Sequence, residues 1–346
     1  MRQYVVLLIL IRTFAFRAVP AVALLLSIGD AFAEPAPAIA EDQRILPYTQ
    51  PGQQVEIGGR RINMQCAGTG GPTVILMAGL FSWSVVWYKT QPVIAQRTRV
   101  CAFDRAAYGF SDPAPRPQII SEVVEDLHKA LQMGSIPGPY VLVGHSLGGL
   151  EARLYAQRWP EQVAGMVLVD TSPAGEMLLE VSLPDYDEAE GRESYAAYTL
   201  HCALLAAHGP FEPSSAEFKD CSAPLPSDTP VAFRKIWPRF FTANYFANKV
   251  SLMSSLYTHR YDSVDHRGLG AMPLVVLTAK NTWGNTPAAS RYTGTFLRFW
   301  LAQHEALARL SSRGIHRFIK GSGHEIQLEK PQAVIDAVAD VLRQLH

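Results

Sequence analysis

The chain has 346 residues, 48% hydrophobic and 18% charged, an ordinary globular composition long enough for a large core plus an insertion. Lys+Arg and Asp+Glu both total 31, so no charge excess points to nucleic acid, and no acidic or basic tail points to a disordered partner. No C-x-x-C or H-x-x-H spacing suggests a metal, and no cofactor is called for.

The N-terminus has the pattern of an export signal, residues 1–33. Arg12 and Arg17 precede an apolar run at 19–28, and Ala31-Phe32-Ala33 forms an A-x-A cleavage pattern before Glu34. The competing reading is an uncleaved membrane anchor. Arg12 and Arg17 interrupt the apolar stretch, however, and leave no clean run of about 20 residues. Cleavage would remove Arg2, Arg12, Arg17 and Asp30, leaving a net charge of about −2. The product would be periplasmic or secreted, with no stable membrane span. Residues 34–51, rich in Ala and Pro, read as a loose leader.

Next come two strands at 54–57 and 61–66, joined by Gly58-Gly59, a hairpin signal. Residues 73–77 form a short apolar run between Gly-Pro and Gly, a buried strand. A helix is predicted at 83–95 despite Pro92, then a strand at 99–103. Apolar residues Val123, Val124, Leu127, Ala130 and Leu131 predict a helix over 121–133, with Ser121 as its cap. Strands follow at 140–143, 163–169, 274–278 and 315–319, with helices at about 288–312 and 331–345. Alternating buried strands and helices imply a mostly parallel sheet covered on both faces. About a hundred residues separate the strands ending near Asp170 and beginning after Ala271, far more than an ordinary connection. This interval, 171–270, is rich in aromatic residues and reads as a helical insertion.

Four cysteines fit an oxidising compartment. Cys202 and Cys221 share the insertion and are the favoured bridge. Cys66 and Cys101 fall in two predicted strands that would be neighbours; they are either a second bridge or two small buried hydrophobes.

The strand at 140–143 runs into Gly144-His145-Ser146-Leu147-Gly148 and then into a helix. A serine at a sharp strand-to-helix turn is lifted above the sheet edge, where a histidine can reach it. A serine hydroxyl needs a base, a group to orient that base, and donors for the developing oxyanion. His324, on the glycine-flanked loop after the last strand, is the candidate base. The position after the strand at 274–278 reads Ala279-Lys280-Asn281-Thr282-Trp283 and holds no carboxylate, whereas the strand before the insertion ends in Asp170. Asp170 is therefore the candidate acid, with Asp262 and Asp265 as fallbacks and a structural turn aspartate as the bland alternative. The backbone N–H groups of Leu147 and Leu80, with Phe81 next to Leu80, are the candidate oxyanion donors. Trp83, Phe81 and His145 are candidate substrate contacts, although His145 inside the turn would also suit local packing. Trp87, at i+4 from Trp83, would pack on the sheet or join that wall.

These residues resemble the α/β-hydrolase fold family from about residue 55 to the C-terminus. The resemblance rests on Gly144–Gly149, on His324 in Gly-Ser-Gly-His, on Ala78-Gly79-Leu80 where relatives often have His-Gly-x, and on Asp104–Asp112. That last stretch is similar to the family's D-x-x-G-x-G-x-S, with Ala107 in place of the first glycine. It implies an eight-stranded sheet with an antiparallel second strand, and core segments at 52–170 and 271–346 flanking a cap at 171–270. Certain haloalkane dehalogenases carry the acid after the strand preceding the cap, which supports Asp170. Dehalogenases and epoxide hydrolases use an aspartate nucleophile, where this chain has Ser146. The expectation is an exported serine hydrolase acting on a small-molecule ester with an apolar portion. The alternatives are an amide hydrolase such as a proline iminopeptidase, with Glu180, Asp185 or Asp187 holding the amine, or a non-catalytic binding protein.

Overall fold

The computed structural model describes residues 41–172, 188–257, 268–282 and 287–345. The expected signal at 1–33, the residues Glu180, Asp185 and Asp187, and the fallback acids Asp262 and Asp265 lie outside them. The described end of the expected leader is not loose. Residues Gln43–Thr49 form a 3-10 helix capped by the Asp42 side chain, and Tyr48 is buried there with its hydroxyl on Gln91.

One eight-stranded sheet organises the chain, in the order β1-β2-β4-β3-β5-β6-β7-β8. The strands are β1 (Gln53–Glu56), β2 (Arg61–Ala67), β3 (Thr73–Met77), β4 (Val100–Phe103), β5 (Tyr140–His145), β6 (Val163–Val169), β7 (Leu274–Asn281) and β8 (Gly314–Gly323). β2 runs antiparallel to both neighbours, and all pairs from β4 to β8 are parallel. The central strands are apolar at nearly every position because both faces are covered. Val74, Leu76, Val141, Val143, Val167 and Val169 enter one core, while Ile75, Met77, Leu142, Met166 and Leu168 enter the other.

Ten α-helices occur among the described residues. They are α1 (Gln91–Ile94), α2 (Ile120–Met133), α3 (Leu147–Arg158), α4 (Glu188–Ala207), α5 (Ala216–Cys221), α6 (Val231–Ile236), α7 (Ala243–Tyr257), α8 (Pro287–Ala308), α9 (Ile326–Glu329) and α10 (Pro331–Arg343). α10 starts at Pro331, whose missing N–H costs nothing at a first helical position, and buries Val334, Ile335, Val338, Val341 and Leu342 on one stripe. α2 and α3 supply the opposite core, through Val123, Leu127, Leu131, Leu150 and Leu154 among others.

Two local predictions change. The helix over 83–95 is instead a 3-10 turn at Ser84–Trp87 followed by α1, where Pro92 sits in the first turn. Proline lacks the N–H and clashes with the carbonyl four residues back, so one continuous helix cannot pass through it. Trp83 and Trp87 consequently enter different cores. Ser121 is not the cap of α2; the Glu122 carboxylate accepts the Ile119 N–H at 3.0 Å and closes that end.

Both disulfides are formed. Cys66 and Cys101 stand directly opposite on antiparallel β2 and β4, and Cys202 of α4 joins Cys221 of α5. The helices α4 to α7 lie between β6 and β7 in sequence, where a helical insertion is expected. No helix among the described residues is long and apolar enough to cross a membrane.

Candidate active site

Ser146 sits between β5 and α3 with φ 52° and ψ −122°, a region ordinary L-residues avoid at a cost of about 1–3 kcal/mol. The surroundings over-determine this conformation. The Ser146 N–H donates to the Val169 carbonyl at 3.1 Å, and its own carbonyl accepts from Gly149 N–H (3.0 Å), Ser172 N–H (3.1 Å) and the Thr171 hydroxyl (3.1 Å). The flanking glycine is required for space: a Cβ on Gly148 would lie 2.2 Å from the Met77 carbonyl oxygen. Ser146 keeps part of its surface open, and its hydroxyl stands 3.5 Å from that of Ser172.

His324 follows the last residue of β8. Its Nδ1–H donates to Asp170 Oδ2 at 2.8 Å, and the histidine side chain is 26% exposed while the aspartate is fully buried. Asp170 follows β6 and, with φ 39°, turns its side chain toward β7 and β8. Its other oxygen, Oδ1, accepts the Ala279 N–H and the Trp300 indole N–H, each at 2.9 Å. Burial pushes the Asp170 carboxyl up, but the His324 hydrogen bond, the charges of His324 and His304 and the Ala279 N–H outweigh it and hold the group below the ordinary value. Asp170 is therefore an anion at neutral pH. The backbone of Ala279, where the sequence offers no carboxylate, instead supplies a donor to the aspartate across the sheet.

The loop after β3 passes directly beside the serine. A Cβ on Gly79 would come 3.3 Å from Ser146 Cβ and 2.9 Å from His145 Nδ1, so only glycine fits there. Leu147 is the first residue of α3, where the unpaired N–H groups and helix dipole favour negative charge. Among the described residues, no hydrogen bond takes the N–H of Leu80 or of Leu147.

Of the three expected substrate contacts, only Phe81 presents an exposed face, at 49%. Trp83 is 3% exposed; Trp237 (centroid distance 5.2 Å) and Phe240 (5.1 Å) of the helical segment pack on it, so it joins core to insertion rather than facing an open pocket. His145 is 1% exposed, and its Nε2–H donates to the His324 carbonyl at 3.0 Å. Burial pushes its pKa down to about 4, so it is a neutral clamp on the loop of the candidate base and not a substrate contact. Trp87, fully buried, packs in the core.

Several residues at this site escape sequence reasoning. Ser172 sits only two positions beyond Asp170, which is a usable signal. Trp300 of α8 reaches Asp170 from 130 residues away, His304 reaches the neighbouring Thr171 carbonyl from 133 away, and no local pattern marks either. Lys249 of α7 holds its ammonium 4.7 Å from the Phe81 ring centroid, and burial lowers its pKa to about 8. No group of three metal-ligating side chains occurs among the described residues.

The sheet order, with a strained serine between β5 and α3 and a histidine after β8, is that of the α/β-hydrolase fold. The alpha/beta hydrolase fold family model matches residues 72–208, and the chain has that fold. Among solved structures, lip1 from Acinetobacter baumannii AYE is similar with a TM-score of 0.62 at 17% identity, covering 88% of this chain and 94% of that one. A thermophilic esterase from Thermogutta terrifontis is similar with a TM-score of 0.57 at 20% identity, covering 86% and 98%. In sequence, the uncharacterized protein YbdG of Bacillus subtilis strain 168 is 27% identical over 125 residues, which is 34% of this chain and 37% of that protein. The first three curated relatives are matched over only 37%, 15% and 18% of their own lengths.

Proposed function

We propose that this chain is a serine hydrolase cleaving a carboxylic ester with an apolar portion. The observation that carries the reading is the hydrogen bond from His324 Nδ1–H to a buried, ionised Asp170, at the sheet edge that also holds the strained Ser146. With its Nδ1 proton tied to the carboxylate, the imidazole presents Nε2 as the proton acceptor. Ser146 Oγ attacks the ester carbonyl carbon and its proton passes to His324 Nε2. The Leu147 and Leu80 N–H groups stabilise the oxyanion. The alcohol leaves with the proton from His324, and water, deprotonated by the same nitrogen, releases the acid and restores the serine.

The helical segment within 171–270 is read as a cap. The Tyr245 hydroxyl donates to the Phe81 carbonyl at 3.4 Å, and Trp237, Phe240 and Phe241 close around Trp83, which supports an apolar surface over the site. The two disulfides support export to an oxidising compartment. The fold similarity to an esterase agrees with ester chemistry, although fold alone never decides chemistry. A fluorophosphonate probe tests the reading: labelling should be abolished in Ser146→Ala. A folded wild type that is never labelled refutes it. A panel of p-nitrophenyl esters of increasing acyl length would then locate the preferred apolar portion.

A further inference from the structure

Arg105 is 2% exposed and Glu151 is fully buried; the pair meets at 2.7 Å from Nε to Oε1 and 2.8 Å from Nη2 to Oε2. A buried ion pair is by itself weak evidence for stability, because desolvation offsets the attraction. What Glu151 does here is fix the plane of the guanidinium, and the remaining donors reach the backbone of the loop after β3. Nη2 donates to the Ala78 carbonyl at 2.6 Å, and Nη1 to Gly79 at 2.9 Å and Ser82 at 3.4 Å. The two carbonyls between them are also taken. The Tyr108 hydroxyl donates to Leu80 at 3.1 Å, and the Tyr245 hydroxyl to Phe81 at 3.4 Å. Five successive carbonyls, from Ala78 to Ser82, are thus each held by a side chain.

We propose that Arg105, Tyr108 and Tyr245 are positioning residues that orient the oxyanion loop 78–82; this rests on the serine-hydrolase reading above. The geometry follows from the planar trans peptide, in which each C=O points opposite to the next residue's N–H. The cis bonds among the described residues are at Gly71-Pro72 and Gly138-Pro139, outside this loop. With the Gly79 carbonyl fixed on Arg105, the Leu80 N–H must point away from Arg105. Holding the carbonyls therefore fixes the donors before any charge develops, which is what electrostatic preorganisation requires. Two of the anchors come from the Asp104–Asp112 stretch and the third from α7, so the helical segment and the core grip the same loop.

The test compares wild type with Tyr108→Phe, Tyr245→Phe and the double replacement Arg105→Met/Glu151→Leu. The double variant removes both buried charges together, so no ion is left unpaired. Fluorophosphonate labelling rates, p-nitrophenyl butyrate kinetics and inhibition by a trifluoromethyl ketone are measured on proteins with unchanged circular dichroism. The expected result is a kcat loss of about threefold for each tyrosine variant and about thirtyfold for the double, with KM moving less than about twofold. Ketone affinity should weaken in parallel with kcat/KM, a signature that general loosening would not give. Should the double variant fail to fold, the tyrosine variants decide alone. Wild type that labels, with tyrosine variants within about twofold of it in both kcat/KM and ketone affinity, overturns the positioning role alone. A folded wild type that never labels removes the serine-hydrolase reading and this role with it.

Discussion

Asp170→Asn isolates the acid with little change of shape. Asparagine has the same outline and tolerates the left-handed backbone at φ 39°. Asp170 now accepts three hydrogen bonds: Oδ1 takes the Ala279 and Trp300 N–H groups, and Oδ2 takes His324 Nδ1–H. An amide has only one acceptor oxygen. Two donors converge on the Oδ1 side, so the amide oxygen stays there and its NH2 faces His324. The imidazole must then present Nδ1 as acceptor, which moves its proton to Nε2, the nitrogen that should receive the serine proton. Wrong-tautomer losses of this kind are about 10⁴ in kcat, or about 5.5 kcal/mol at 1.36 kcal/mol per decade. Folding should persist, since the buried donors of Ala279 and Trp300 keep their acceptor. Ester turnover and fluorophosphonate labelling are measured beside a thermal melt. A folded variant whose kcat lies within about tenfold of wild type would refute the tautomer argument and return the acid's role to Asp262 or Asp265.

Gly79→Ala places a methyl against Ser146 Cβ and the His145 ring, so the loop must shift, and kcat/KM should fall by about a hundredfold with a smaller change in melting temperature; unchanged kinetics would show that the loop moves freely. His145 and His304 are both held neutral by burial, with pKa values lowered to about 4, so their contribution to stability is complete above the unfolded value near 6.5 and is lost as pH falls toward 4. The loss is on the order of 3 kcal/mol for each, and urea unfolding at pH 7, 5.5 and 4.5 should follow it; a midpoint that does not fall over this range contradicts the buried-neutral assignment. Ala107 has φ 65°, which costs an L-residue about 1–2 kcal/mol, so Ala107→Gly should leave stability equal or raise it by up to about 1 kcal/mol, whereas Ala107→Val should lower it clearly in the same unfolding assay.

What the sequence discloses is local, and the order of the sheet shows why that sufficed for the fold. Runs such as Thr73–Met77 and Val163–Val169 are apolar at nearly every position, which only a sheet covered on both faces explains, and their observed limits match the predicted ones. Ser146 is legible because its turn needs small neighbours in sequence. The close approach of the loop after β3 to Ser146 is legible because Gly79 marks it. His145 misleads because a histidine beside a nucleophile suggests contact with substrate, whereas its ring turns inward to the His324 carbonyl. Trp83 misleads similarly, since the rings that bury it come from Trp237 and Phe240, more than 150 positions away. Arg105 stands next to Asp104 with no mark of its contacts, because Glu151 lies 46 positions away and its other partners are backbone carbonyls, which carry no sequence signature.

The placement of Asp170 after β6 accounts for a histidine and a tryptophan on α8 that nothing in its own sequence calls for. An aspartate after β6 must reach across the end of β7 to His324, and residues 170–172 must hold the strained Ser146 as well. The hydrogen bonds around this tripeptide have one consistent polarity. The Thr171 carbonyl can only accept, so His304 Nε2 donates to it at 2.7 Å. His304 is neutral, so its Nδ1 accepts the Thr278 hydroxyl at 2.6 Å, and that oxygen in turn accepts from His316 Nε2–H at 2.7 Å. The Thr171 hydroxyl donates forward to the Ser146 carbonyl, while Trp300 donates to Asp170. Each donor thus meets one acceptor from β8 through α8 to the serine turn. Protonating His304 would put a second donor on the Thr278 oxygen; the hydroxyl would lose its acceptor on His304 and have to turn its proton away. Burial depresses the pKa of His304, and its neutral ring fixes the direction of this chain of hydrogen bonds beside Asp170.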